Sequence, residues 1–199
     1  MLPHKQITKH ATSLQRVDPR TGRHRAEHWA IDNQIYFITA RCRDRLPAFR
    51  AEEAKSVFWR QLHRKAEAHG FTLIIVSLMD NHYHLLGHLR EGEQLHHMMH
   101  GLHGSVARYV NQITDLASQV KPMFRERSNR QYMDGAVRSS KQFTRCFGYI
   151  ERQSVRHRIC KSAEDYPHTR VFVEMERARA RALEIGAFLH GVGDRRHAV

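Results

Sequence analysis

The segment from Phe71 to Leu89 constrains this chain more than any other. Phe71–Met79 (FTLIIVSLM) is a largely apolar stretch, far short of the roughly 20 residues a membrane-spanning helix needs and rich in the branched side chains of a buried strand. His82–Leu89 (HYHLLGHL) reads as a second strand, and the turn-prone pair Asp80–Asn81 joins the two. A sheet built on this pair needs further strands and a cover of helices, and the flanking sequence offers both.

Gln34–Cys42 (QIYFITARC) is short, β-branched and aromatic, a strand pattern. Ala51–His69 carries Ala54, Val57, Phe58, Leu62 and Ala66 at helical spacing and stops at Gly70. Leu95–Ile113 is a second helix, with a stripe through Met98, Met99, Leu102, Val106, Tyr109, Val110 and Ile113. Pro122–Arg138 is extended and basic, with a short strand within Gln131–Arg138. Ser140–Ile159 reads as a third helix whose buried face is Phe143, Cys146, Phe147 and Ile150. Ala163–Thr169 reads as a loop and Val171–His190 as an Arg-rich terminal helix. The order strand–helix–strand–strand–helix–strand predicts an α+β ferredoxin-like sandwich: an antiparallel sheet with helices on one face. The expected organisation is a basic N-terminal arm over 1–33, a central domain over 34–169 and an Arg-rich helix and tail over 170–199.

Charge narrows the partners. Lys and Arg number 33 against 20 Asp and Glu, a formal net charge of +13, and such a field attracts polyanions, nucleic acid first. An anionic membrane surface is the second possibility on charge alone. No apolar run approaches a bilayer span and no secretory signal stands at the N-terminus, so a cytoplasmic protein is expected. The three cysteines (Cys42, Cys146, Cys160) form no CxxC pair, which points to free thiols rather than a disulfide scaffold or a thiolate zinc site.

Two motifs carry chemistry. In Asn81-His82-Tyr83-His84-Leu85-Leu86 the period of a strand sends His82 and His84 to one face, Tyr83 and Leu85 to the other. Paired imidazoles can offer two neutral nitrogens to a divalent metal; the spacing alone also fits two half-exposed histidines in a chain with 17 of them. In the third predicted helix, Tyr149 and Gln153 stack at i, i+4 beside the apolar stripe, with Arg145, Arg152 and Arg156 on the neighbouring arc. That flank suits a phosphate, and equally an amphipathic tyrosine at the edge of a core. Taken together, the two motifs describe a site: the helix crosses the open face of the sheet, Tyr149 meets a metal on His82 and His84, and Gln153 adds an oxygen ligand. Mixed nitrogen and oxygen ligands with open positions suit Mg²⁺ or Mn²⁺.

With those residues in place, the sequence resembles the HUH-type single-tyrosine (IS200-like) transposases, in particular the REP-associated tyrosine transposases of bacteria. The resemblance runs from about Gln34 to Thr169. It rests on IYFITARCRDRLPAF, on NHYHLL against the family's Asn-His-x-His-Leu-Leu, on RQYMDGAVR, on YIERQSVRHRI against Tyr-Ile-x-x-Asn-Pro-Val-Arg, and on the closing SAEDYPHTR. It implies that Tyr149 is a nucleophile, that His82 and His84 are metal ligands, and that Gln153 fills the Asn/Gln ligand position. Arg138, Arg145, Arg152 and Arg156 become expected nucleic-acid contacts. Two positions depart from the family: Asp80 stands for a usual Pro, and Gln153-Ser154 for a common Asn-Pro.

The implied activity is metal-dependent cleavage and joining of single-stranded DNA through a 5′-phosphotyrosine. The implied substrates are REP-like imperfect hairpins, processed by a nucleoid-associated monomer or homodimer. Three alternatives compete. A domesticated descendant would bind DNA or RNA hairpins without cutting. An RNA-binding ferredoxin-like module would display aromatics where this chain has histidines. A structural zinc protein would need cysteines at ligand spacing, which are absent.

Overall fold

The computed structural model describes residues 30–114, 123–124 and 132–188. Most of the expected N-terminal arm, the residues from 125 to 131 and the end of the expected terminal helix lie outside them. The elements run β1 (Gln34–Arg41), α1 (Glu52–Ala68), β2 (Phe71–Leu78), β3 (His82–Leu89), α2 (Gln94–Ile113), β4 (Tyr132–Ala136), α3 (Ser140–Glu151), a one-turn α4 (Gln153–Arg156), β5 (Thr169–Val171) and α5 (Met175–Glu184). The five strands form one antiparallel sheet in the order β4-β1-β3-β2-β5. This is the α+β sandwich the element order predicts, with one extra edge strand.

Alternation along β3 divides the interior in two. Tyr83, Leu85 and Leu89 join Phe49, Phe58, Leu62, Met98 and Val106 in a core under α1 and α2. Leu86 joins Ile35, Ile75, Val137, Phe143, Phe147 and Ile150 in a second core on the other face, under α3 and α5. Of the stripe read for the third helix, Phe143, Phe147 and Ile150 are buried and Cys146 is partly buried against the same core. Each such apolar side chain contributes about 1.5–3 kcal/mol on burial, enough to hold α3 across the sheet. Gly87 lets the strands close: a Cβ there would lie 2.0 Å from Phe71 Cε1 and 2.7 Å from the Thr72 carbonyl oxygen.

Three local features depart from the sequence expectation. The register of β2 against β3 shifts between Leu73 and Ile75, and Ile74 and Ile75 both enter the second core, as a bulge allows. The expected helix over Ser140–Ile159 is broken at Arg152 (φ −90°, ψ 13°). There the Gln153 side chain donates Nε2–H to the Tyr149 carbonyl at 2.9 Å, the acceptor an unbroken helix would offer the Gln153 backbone, so side chain and backbone compete for one oxygen. The terminal helix starts at Met175 rather than Val171. Thr169–Val171 pairs with β2 instead, and Phe172 and Val173 both donate N–H to the Ile74 carbonyl, at 2.9 and 3.2 Å. An exposed edge of β2 takes up these residues before helical propensity can act.

Candidate functional site

The second core covers only part of its face, and His82 and His84 lie at the end of β3 it leaves. Their cross-strand partners on β1 are Arg41 and Thr39, respectively. Both imidazoles are buried, 5% and 4% exposed, which removes the reading of half-exposed surface histidines. The two rings lie 5.1 Å apart, centroid to centroid, and nearly perpendicular.

Each ring is oriented through Nδ1. His82 Nδ1 lies 2.6 Å from Asn81 Oδ1, and the Asn81 amide is itself set by a 3.3 Å bond from Nδ2 to the Arg45 carbonyl. A carboxamide oxygen only accepts, so the proton sits on His82 Nδ1 and Nε2 keeps its lone pair. His84 Nδ1 lies 2.7 Å from Thr39 Oγ1, a hydroxyl that accepts equally well. Hydrogen bonding of one ring nitrogen while the other stays free is how metal-binding histidines are prepared. Burial, then the neighbouring His157 and Arg41, hold the His82 pKa down to about 4. Burial, then His82, His157, Arg41 and Arg156, hold that of His84 down to about 3. Both rings are therefore neutral at physiological pH, the form that binds metal.

α3 brings Tyr149 to this pair. The Ser139 side chain caps the helix, accepting from the Gln142 N–H at 3.2 Å, and Phe143, Phe147 and Ile150 anchor it. The Tyr149 ring stands edge-on to His84 at 5.1 Å and to Phe37 at 6.0 Å, while Phe37 stacks parallel to His84 at 6.1 Å. The Arg156 guanidinium lies over the Tyr149 ring, 4.9 Å from its centroid. Among the described residues the Tyr149 hydroxyl has no hydrogen-bond partner. By contrast, Tyr36, Tyr83 and Tyr166 have theirs engaged by Ile31, His103 and Leu78.

The residues expected from sequence thus fall into groups. His82, His84, Tyr149 and Arg156 come together. Gln153 is buried one turn beyond Tyr149, its amide nitrogen bonded to the Tyr149 carbonyl, which leaves Oε1 as the end able to ligate. Arg145 and Arg152 lie exposed along the same helix, Arg152 alongside Gly148. Arg138 stands just before the helix, its N–H bonded to Gln142 Oε1 at 2.8 Å. Sequence reading missed two residues. His157, just after α4, places its ring 5.1 Å from that of His82. Arg41 shares the face of Phe37 and Thr39, opposite His82. Strand period alone could have flagged Arg41, whereas His157 depends on where the helix breaks. Among the described residues, no three His, Cys, Asp or Glu side chains gather into a metal cluster, so a metal here needs the histidine pair plus other oxygens.

The family model for IS200-like transposases matches residues 30–153. The chain belongs to the IS200-like transposase family. The matched span takes in the histidine pair, Tyr149 and Gln153, and ends before Arg156 and His157. Among solved structures, this IS200-like transposase is similar in fold to a REP-associated tyrosine transposase bound to a REP hairpin. The identity is 16%, over 86% of this chain and 93% of the other, with a TM-score of 0.58. A candidate transposase of Deinococcus radiodurans R1 aligns at 20% identity over 61% of this chain and 91% of the other, with a TM-score of 0.44. No curated protein matches. No helix among the described residues is long and apolar enough to cross a membrane.

Proposed function

We propose that this IS200-like transposase is a metal-dependent single-strand DNA endonuclease and strand transferase with Tyr149 as its nucleophile. The observation that carries the reading is the edge-on packing of the Tyr149 ring against His84 within one chain, with its hydroxyl unengaged among the described residues. An arrangement in cis lets a monomer act, without a tyrosine exchanged between copies.

His82 and His84 would hold Mg²⁺ or Mn²⁺ through Nε2, with Gln153 Oε1 as third ligand. When bound, the ion would polarise a phosphate oxygen and offset the charge that develops on it. Tyr149 Oη attacks phosphorus in line: the Oη–P bond forms, the P–O3′ bond breaks, and the 5′ phosphate stays on the tyrosine. The phenolic proton is released and the departing 3′-oxygen takes one up, so a 3′-hydroxyl results. That hydroxyl can reverse the step, because the ester bond is kept on the enzyme. The Arg156 guanidinium over the Tyr149 ring adds positive charge beside the reacting phosphate. Arg138, Arg145 and Arg152 extend the positive surface along α3 for the DNA backbone, making affinity salt-dependent. The REP hairpin held by the similar solved protein makes imperfect palindromes the substrates to try first, and the setting is the bacterial nucleoid.

The test is incubation with labelled single-stranded hairpin DNA and Mn²⁺ or Mg²⁺, resolved on denaturing gels. A metal-dependent covalent adduct, absent from Tyr149→Phe, is expected. Tight hairpin binding without an adduct across varied hairpins would replace this reading with that of a binding protein that no longer cuts.

A further inference from the structure

Among the described residues, the histidine site carries no negative charge of its own. Its expected ligands are two neutral imidazoles and a carboxamide. The neighbours acting electrostatically on the imidazoles are Arg41, Arg156 and His157, with no carboxylate among them. Of these, Arg41 is the direct cross-strand partner of His82, and opposed residues in an antiparallel pair have Cβ atoms about 4.5–5.5 Å apart on the same face. Thr39 and Phe37, two and four residues back on β1, both touch His84, so alternation sends the Arg41 side chain to the histidine side. Arg41 is exposed and makes no ion pair among the described residues.

We propose that Arg41 is a phosphate-binding residue that couples the metal and the DNA, so that each is held firmly only when the other is present. The inference rests on the reading of His82 and His84 as metal ligands. A divalent ion on uncharged ligands beside a free guanidinium is repelled, and among the described residues no carboxylate acts on the histidines to offset that repulsion. A phosphodiester reverses the balance. It brings one negative charge, fills an open position with oxygen, and presents acceptor oxygens to a guanidinium that donates in a planar fork. Coupling of this kind is reciprocal: the factor by which DNA tightens the metal is the factor by which the metal tightens DNA. An idle enzyme would then hold little metal, and its nucleophile would be armed only on bound DNA.

The experiment uses the full chain carrying Tyr149→Phe, so that no cleavage intervenes. Mn²⁺ binding is followed by the loss of the free-ion EPR signal, with and without a single-stranded oligonucleotide bearing one hairpin, at constant ionic strength. The expected result is Mn²⁺ affinity raised about tenfold or more by the oligonucleotide, within the usual range of coupling between sites. Adding Arg41→Gln should strengthen Mn²⁺ binding severalfold without DNA and shrink the gain on adding DNA, two effects of opposite sign that a structural role does not produce. Arg41→Lys, which keeps the charge, should retain weak Mn²⁺ binding without DNA and recover part of the gain. An Mn²⁺ affinity unaffected by DNA, or weakened by Arg41→Gln in both states, overturns the inference and leaves the metal site standing. Mn²⁺ binding that is absent in both states, or that survives His82→Ala, overturns the metal reading and the inference with it.

Discussion

On one face of β3, Tyr83 and Leu85 sit beneath α1 and α2, in a core closed by Phe49, Phe58 and Met98. On the other face, one residue away along the chain, His82 and His84 border a face that α3 covers only in part. Both faces take in histidines, His103 half-buried on one and His82 and His84 buried on the other. In the closed core, His103 is paired with the Tyr83 hydroxyl at 2.7 Å and stacked on Phe124 at 4.2 Å. At the open end, each histidine is bonded through Nδ1, and the Tyr149 hydroxyl beside them has no partner among the described residues. The difference teaches that burial alone does not mark function. His103 belongs to a contact that closes on itself, whereas His82 and His84 are oriented and left with unused bonding capacity.

Breaking the closed face should cost the most stability. Phe58 touches Phe49, Trp59 and Tyr83, and Phe58→Ala should destabilise by about 3–5 kcal/mol in denaturant unfolding, with activity lost only as the fold is lost. Breaking the open face should do the reverse. His84→Ala should cost less than about 2 kcal/mol, a lost hydrogen bond at a site edge, yet reduce metal-dependent cleavage by roughly a hundredfold or more. Equal loss of fold and activity in His84→Ala would erase the distinction between the faces.

Acid should sharpen the comparison through His103, whose pKa burial and then His100 hold down to about 3. Unfolded, the ring titrates near 6.5, so the unfolded chain binds the proton first and stability falls as pH drops below that value. Between pH 6.5 and pH 5 the loss amounts to about 2 kcal/mol. His103→Gln keeps a partner for the Tyr83 hydroxyl and should remove that part of the pH dependence of thermal unfolding.

The smallest effect concerns the Asp80–Asn81 turn, where this chain lacks the usual proline. The buried Lys55 ammonium lies 3.6 Å from Asp80 and 2.9 Å from Glu52, and the Asp80 carbonyl accepts from the Phe49 N–H at 2.8 Å. Side-chain and backbone contacts hold what a pyrrolidine ring would otherwise hold. Lys55→Met should loosen Asn81 and weaken Mn²⁺ binding about two- to fivefold, in keeping with a partly exposed ion pair. An unchanged affinity would show that the backbone bond suffices.

Much of this was legible before any coordinates. The Phe71–Leu89 hairpin, the helical stripes and the pairing of His82 with His84 follow from periods of 2.0 and 3.6, which local sequence carries. Gly70 marks the end of α1, where its φ of 64° suits the residue. What escaped depends on partners distant in sequence. The bulge at Leu73–Ile75 answers to packing of the second core. Val171 is drawn into the sheet by the free edge of β2. The break at Arg152 turns on one side-chain bond from Gln153, and it sets where Arg156 and His157 come to rest. Arg41 gains its meaning only once the register places it opposite His82.

The most direct test of the central claim is to locate the covalent bond. The protein would be reacted with Mn²⁺ and a hairpin oligonucleotide, the adduct isolated under denaturing conditions, and its peptides read by mass spectrometry. A nucleotide attached to Tyr149 is the predicted result. Attachment to another of the six tyrosines, or cleaved DNA with no protein attached, would contradict it.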